Sequence, residues 1–164
     1  MRKGKSARAD EEAGPPASVQ AHPTHRILVV DDDPFLCHRN AEALIQHGYV
    51  VNATENGALG WQELQANNYH LLITESELPK LTGIELIQKL RSARIALPVI
   101  IATDKSPKLA VARGLRLNPI FTLLKPYTLP DFIETVKVVL LQQANPLVEH
   151  RHDTRAEQAA IINL

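Results

Sequence analysis

Apolar positions fall along this chain at two periods. Short unbroken runs at residues 27–30, 49–54, 70–74, 98–102 and 120–124 are rich in β-branched residues and bounded by turn chemistry. Runs of that length and composition predict strands, most of them buried on both faces. Between them the spacing becomes helical. Cys37, Ala41, Leu44 and Ile45 stand at i, i+4, i+7 and i+8, which predicts a helix over 34–47 ended by Gly48 in a left-handed position. Asn56-Gly57 turns into a second helix carrying Trp61 and Leu64 to near Asn67-Asn68, and Leu86, Ile87 and Leu90 mark a third. Ser106-Pro107 starts a fourth to about Leu117, stopped by Asn118-Pro119. Thr128-x-x-Asp131 is a capping-box pattern that opens a fifth, with Leu129, Phe132, Ile133, Val136 and Leu140 as its stripe. Pro98 is tolerated as the first residue of its strand.

Strands alternating with helices through short connections predict one α/β domain with a doubly wound parallel sheet. Ligand sites in such sheets lie beyond the carboxyl ends of the strands. There the sequence places Asp31-Asp32-Asp33 after the first strand, Glu75 after the third, Thr103 after the fourth and Lys125 after the fifth. Asp33 followed by Pro34 also reads as an N-cap with proline in the first helical position. Clustered carboxylates disfavour one another's ionisation and need a hard cation or a lysine beside them. Carboxylates, a hydroxyl and an ammonium on one rim make sense as a phosphoryl-handling site: acidic oxygens for Mg²⁺, the other two for phosphoryl oxygens.

Composition narrows the setting. The 164 residues are 45% hydrophobic, enough for one domain with a substantial core. Eighteen basic residues balance eighteen acidic ones, so no net field points to nucleic acid or an anionic membrane. The single cysteine, Cys37, excludes an internal disulfide, fits a reducing cytoplasm and belongs to the core stripe of its helix. No apolar run approaches the ~20 residues of a membrane span, and residues 1–24 lack a signal peptide's hydrophobic centre. Those residues read as a disordered tail, 25–143 as the domain and 144–164 as a second tail with room for a short helix. His150 and His152 flank Arg151 at a spacing that does not put two ligands on one helix face.

From residue 26 to residue 143 the chain resembles the receiver domain of two-component response regulators. ILVVDDDP resembles the family's first strand and acidic pair, making Asp31 and Asp32 the metal-site acids. Thr103 matches the switch hydroxyl, Lys125-Pro126 the lysine–proline pair whose peptide bond is usually cis, and LPKLTG, ending at Gly83, the loop after the third strand. The resemblance implies a CheY-like, flavodoxin-like fold with strand order 2-1-3-4-5, and a cytoplasmic signalling role without enzymatic activity.

One departure carries the functional expectation. Family receivers accept a phosphoryl group on an aspartate after the third strand, and the matching residue here is Glu75. Its carboxylate stands one C–C bond, ~1.5 Å, further out. In-line transfer is set by positioning, and an error of about 1 Å can cost about 100-fold. Glu75 is therefore expected not to accept phosphate. Glu77, two residues on, either adds charge to the acidic rim with Asp33 or caps the metal. Thr122 stands where the family carries its switch aromatic, and Phe121 would point to the other face. Glu75 either mimics the phosphorylated state, reaching towards Thr103 and Lys125, or forms a static ion pair with Lys125. Two unit charges ~4 Å apart interact by about 4 kcal/mol at an effective dielectric of 20, against about 5.5 kcal/mol for full inversion of a two-state equilibrium. A pair of that strength biases a conformation without locking it. Mg²⁺ at Asp31, Asp32 and Glu75 is expected to bind weakly.

The expected function is thus a stand-alone, atypical receiver in a phosphorelay, a pseudo-receiver acting by protein–protein contact. Its partner would be a histidine kinase, a phosphotransfer protein or an output protein, with neither nucleic acid nor membrane. The resemblance puts the contact surface in 106–141, including Arg113, Arg116 and Thr122, a face that would also serve a homodimer. A conventional phosphoaccepting regulator is the alternative. A phosphatase of the haloacid dehalogenase type would share Asp31-x-Asp33, Thr103 and Lys125, but has Thr or Val where this chain has Phe35, and needs a second acidic motif. A DNA-binding regulator would need an output domain, for which the roughly twenty residues after Gln143 are too few.

Overall fold

Each buried strand sends alternate side chains to opposite faces of a parallel sheet, so the alternation builds two cores. The computed structural model of the chain describes residues 24–104 and 120–144. Its strands are β1 (Arg26–Val30), β2 (Val50–Thr54), β3 (Leu71–Thr74), β4 (Val99–Thr103) and β5 (Ile120–Leu124). Its helices are α1 (Pro34–Gln46), α2 (Gly57–Ala66), α3 (Gly83–Ser92) and α4 (Leu129–Ala144). The strands form one parallel sheet in the order β2-β1-β3-β4-β5, the expected flavodoxin-like topology.

Ile27, Val29, Leu71, Ile73, Ile100 and Ala102 face one core, packed on α1 and α4 through Cys37, Leu44, Phe132, Val136 and Val139. Leu28, Val30, Leu72, Val99 and Ile101 face the other, against Ile84, Leu86, Ile87 and Leu90 of α3, with Trp61 and Leu64 of α2 partly buried beside them. Trp61 is thus core packing, with the Lys89 ammonium 5.4 Å from its ring centroid. Phe121 and Leu123 of β5 join the first core and Ile120 the second, so Phe121 does face away from Thr122's side.

Caps fix the helix starts. Asp33 caps α1, its side chain accepting from the Phe35 and Leu36 amides with Pro34 following, as expected. Thr82 and Glu85 form a full capping box at α3, and the Thr128 hydroxyl accepts from the Asp131 amide at α4. Gly48 takes a left-handed φ of +85° after α1.

Several expectations shift. Ile45 is 56% exposed, because eight residues past Cys37 the helix has turned about 80° off the buried line. Asn40, wholly buried, fills that line instead. Leu129 is also exposed, since it opens α4 at the rim, and Val139 replaces it in the core. The second strand begins at Val50, because the Tyr49 amide bonds back to the Leu44 carbonyl of α1. The third begins at Leu71 rather than 70. The fourth runs from Val99 to Thr103, one residue later than expected at both ends, Thr103 pairing with Leu124. The helix expected from Ser106, with Arg113 and Arg116, and all but the innermost residue of each tail lie outside the described residues.

Candidate functional site

The rim is built by ladder hydrogen bonds that continue one residue past the strands. The Asp31 amide donates to Thr54 O, the Glu75 amide to Val30 O and the Lys125 amide to Thr103 O, at 3.1, 3.0 and 2.8 Å. Asp31, Glu75 and Lys125 are thereby held to the strand beside each of them, and Thr103, the last residue of β4, is paired with Leu124. The sheet registration alone brings four of the expected site residues together.

Their side chains interlock. Lys125 Nζ lies 2.8 Å from Asp31 Oδ2 and 2.8 Å from Glu75 Oε2, bridging both carboxylates. The other Asp31 oxygen accepts the Asp33 amide, and Glu75 Oε1 accepts both the amide and the hydroxyl of Ser76, at 2.6 and 2.8 Å. The Ser76 hydroxyl also lies 2.9 Å from Thr103 Oγ1. Asp31, Glu75 and Thr103 are all buried, with residue exposures of 3%, 7% and 3%.

Burial alone would raise the Glu75 pKa, but hydrogen bonds from Lys125 and Ser76 and the lysine's charge outweigh it and hold the carboxyl below its ordinary value. Burial would lower the Lys125 pKa, yet the hydrogen bonds and charges of Asp31 and Glu75 hold the ammonium well above its usual range. The site is a triad with a carboxylate on either side of one ammonium.

The remaining expected residues sit around it. Asp32 and Asp33 are exposed, and the Asp33 carboxylate is turned into the α1 cap. Glu77 and Thr122 are exposed as well. Among the described residues no three metal-ligating side chains gather into a group that could hold a metal ion. The Lys125 ammonium is paired with Asp31 and Glu75, so a Mg²⁺ held by Asp31, Asp32 and Glu75 would compete with it for two of the three carboxylates.

Sequence reasoning passed over the support of Lys125. The Lys125-Pro126 peptide bond is cis, as the resemblance implied. Next along, the Tyr127 hydroxyl accepts from Asn40 Nδ2 at 2.7 Å, its ring stacks on Phe132, and the Arg39 guanidinium lies over it at 5.6 Å. Asn40 looks like an ordinary surface residue in the sequence, and only its place on the buried face of α1 betrays it. Ser76, inside the ESELP run, carried no motif signal. Cys37 is buried with its thiol 3.6 Å from Thr54 O, and burial pushes its pKa up, as suits a core residue.

Comparison with known proteins agrees with this fold. The family model "Response regulator receiver domain" matches residues 27–137, and the chain belongs to that family. The transcriptional regulatory protein TctD of Salmonella typhimurium (strain SL1344) is 27% identical over 124 residues, covering 76% of this chain and 55% of TctD. Protein RcaC of Microchaete diplosiphon is 28% identical over 120 residues, 73% of this chain and 18% of RcaC. The chain thus spans at most about half the length of these curated relatives. Among solved structures, a CheY-like receiver domain protein from Methanospirillum hungatei JF-1 aligns with a TM-score of 0.69 at 25% identity, over 76% of this chain and 99% of that one. The response regulator TrrA of Thermotoga maritima, in complex with Mg²⁺ and BeF, aligns at 0.63 and 26% identity over 71% and 99%. Among the described residues no helix is long and apolar enough to cross a membrane.

Proposed function

We propose that this chain is an atypical receiver, a pseudo-receiver whose signalling conformation does not depend on accepting a phosphoryl group. The observation that carries this reading is the Glu75–Lys125 contact of 2.8 Å at the acceptor position. The lysine that would meet a transferred phosphoryl group is already neutralised by carboxylates of the chain itself. A phosphoaspartate would bring roughly −2 charge, whereas Glu75 brings −1. Of the two roles open to Glu75, the static ion pair has the better support, because its oxygens are taken by Lys125 and Ser76. Mg²⁺ binds weakly on this reading, since the ammonium competes for the carboxylates a cation would need.

The protein acts by contact with a protein of a two-component pathway, a histidine kinase, a phosphotransfer protein or an output protein, rather than by catalysis. The surface proposed for that contact is 106–141, with Thr122 exposed on β5.

Intact-protein mass after incubation with Mg²⁺ and acetyl phosphate tests the reading, with wild type beside Glu75→Asp. The expected result is no adduct on wild type and one phosphoryl group on the variant. A labile phosphoryl group on wild type overturns the proposal and makes the chain a conventional regulator.

A further inference from the structure

The proton inventory of the site points to a residue that no motif assigns. A serine hydroxyl has one proton to give, and an ionised carboxylate can only accept. The Ser76 hydroxyl lies 2.8 Å from Glu75 Oε1 and donates to it. Its contact with Thr103 Oγ1, at 2.9 Å, therefore has Thr103 as donor and Ser76 Oγ as acceptor. The polar contacts then join into one network that meets at Glu75: Thr103 donates to Ser76, Ser76 donates to Glu75, and the Lys125 ammonium pairs with both Glu75 and Asp31.

We propose that Ser76 is a positioning residue that fixes the Thr103 side chain by accepting its proton, supplying from within the chain the oxygen that a bound phosphoryl group would offer. This deepens the phosphorylation-independent reading and rests on it. The geometry is specific. Ser76 follows β3, Thr103 ends β4, and the Ser76 carbonyl accepts from the Gly83 amide at 3.0 Å, tying the residue to the first turn of α3. The Ser76 backbone amide also donates to Glu75 Oε1, so backbone and side chain grip the same oxygen. Thr103 has a polar partner whose position is set by the carboxylate that replaces the acceptor aspartate.

The test is the Thr103 side-chain rotamer, read from three-bond NMR couplings in the full chain without phosphodonor or Mg²⁺. Wild type and Ser76→Thr, which keeps the hydroxyl, are expected to show one staggered rotamer. Ser76→Ala is expected to move the couplings towards the average of several wells and to shift the Thr103 methyl signal. If far-UV circular dichroism shows Ser76→Ala unfolded, Ser76→Cys, a far weaker hydrogen-bonding group, is read in its place. Unchanged Thr103 couplings in the folded variant lacking the hydroxyl overturn the proposal, and so does averaging in Ser76→Thr. Phosphoryl uptake by wild type would remove the reading beneath it, and mass reports that separately from the couplings.

Discussion

The Lys125 ammonium sits 2.8 Å from Glu75 Oε2, joining the end of β5 to the end of β3 across the strand between them. The same ammonium serves Asp31, with only 16% of the lysine side chain exposed, so its loss would strand two buried carboxylates. Removing one partner of a buried ionic cluster costs about 3–5 kcal/mol. Lys125→Ala is expected to lose that much in urea unfolding. Glu75→Gln, which leaves the Lys125–Asp31 pair intact, is expected to lose about 1.5–3 kcal/mol, the scale of a hydrogen bond to a charged group. Equal losses for the two variants would show that the ammonium is not the centre of the cluster.

The site also sets a pH window. The Glu75 carboxyl is held below its ordinary value, so the stability it contributes is full above the normal carboxylate range. That contribution falls away as pH drops through Glu75's own lowered pKa. Lys125 is held above its ordinary value, so its share is full below about pH 10 and is lost as pH rises through its raised pKa. Urea midpoints measured against pH should fall at the acid end, and Glu75→Gln should flatten that limb. An acid limb of the same steepness in Glu75→Gln would assign it to other carboxyls.

Gly83 has no room for a side chain. A Cβ there would meet the Glu75 carbonyl oxygen, a backbone atom, and come within 2.9 Å of Thr74 Oγ1. Gly83→Ala must displace the segment that carries Glu75 and Ser76, and is expected to cost about 1–3 kcal/mol and to perturb the NMR signals of Glu75, Ser76 and Thr103. Gly48→Ala is the control. It meets nothing within 4 Å and is strained only by its φ of +85°, so it should lose stability and leave those signals in place.

Tyr127→Phe keeps the ring over which Arg39 lies and removes only the hydroxyl that accepts from Asn40. Asn40 is 1% exposed, so its amide is left without that acceptor in a buried place. The expected cost is about 1–3 kcal/mol in urea unfolding. No measurable loss would mean that water takes the hydroxyl's place.

The sheet and its rim were legible because β-branched runs and polar strand ends are local signals. ILVV followed by three aspartates, or PVIIA followed by Thr103, needs no knowledge of distant residues. Topology then brings the ends together, and parallel registration leaves little freedom in where they meet. What escaped depends on contacts far apart in sequence. Asn40 and Tyr127 look unremarkable until α1 packs beside the β5 end. Ser76 matters through one torsion and one proton. Ile45 fits the helical spacing, yet lies where α1 has turned away from the sheet. Arg113, Arg116 and the helix expected around them are outside the described residues, so that part of the proposed contact surface rests on the sequence.

A transferred phosphoryl group has a lifetime, and the signal it carries decays when it hydrolyses. The Glu75–Lys125 pair is made of the chain's own atoms and lasts as long as the folded state. On the proposed reading, nothing at the rim can be cleared to end a response. Control then passes to supply: how many copies are synthesised, how quickly they are degraded, and how many binding sites they share. The output of such a receiver should follow its cellular concentration and saturate with its partner, behaving as a titrant rather than a timer.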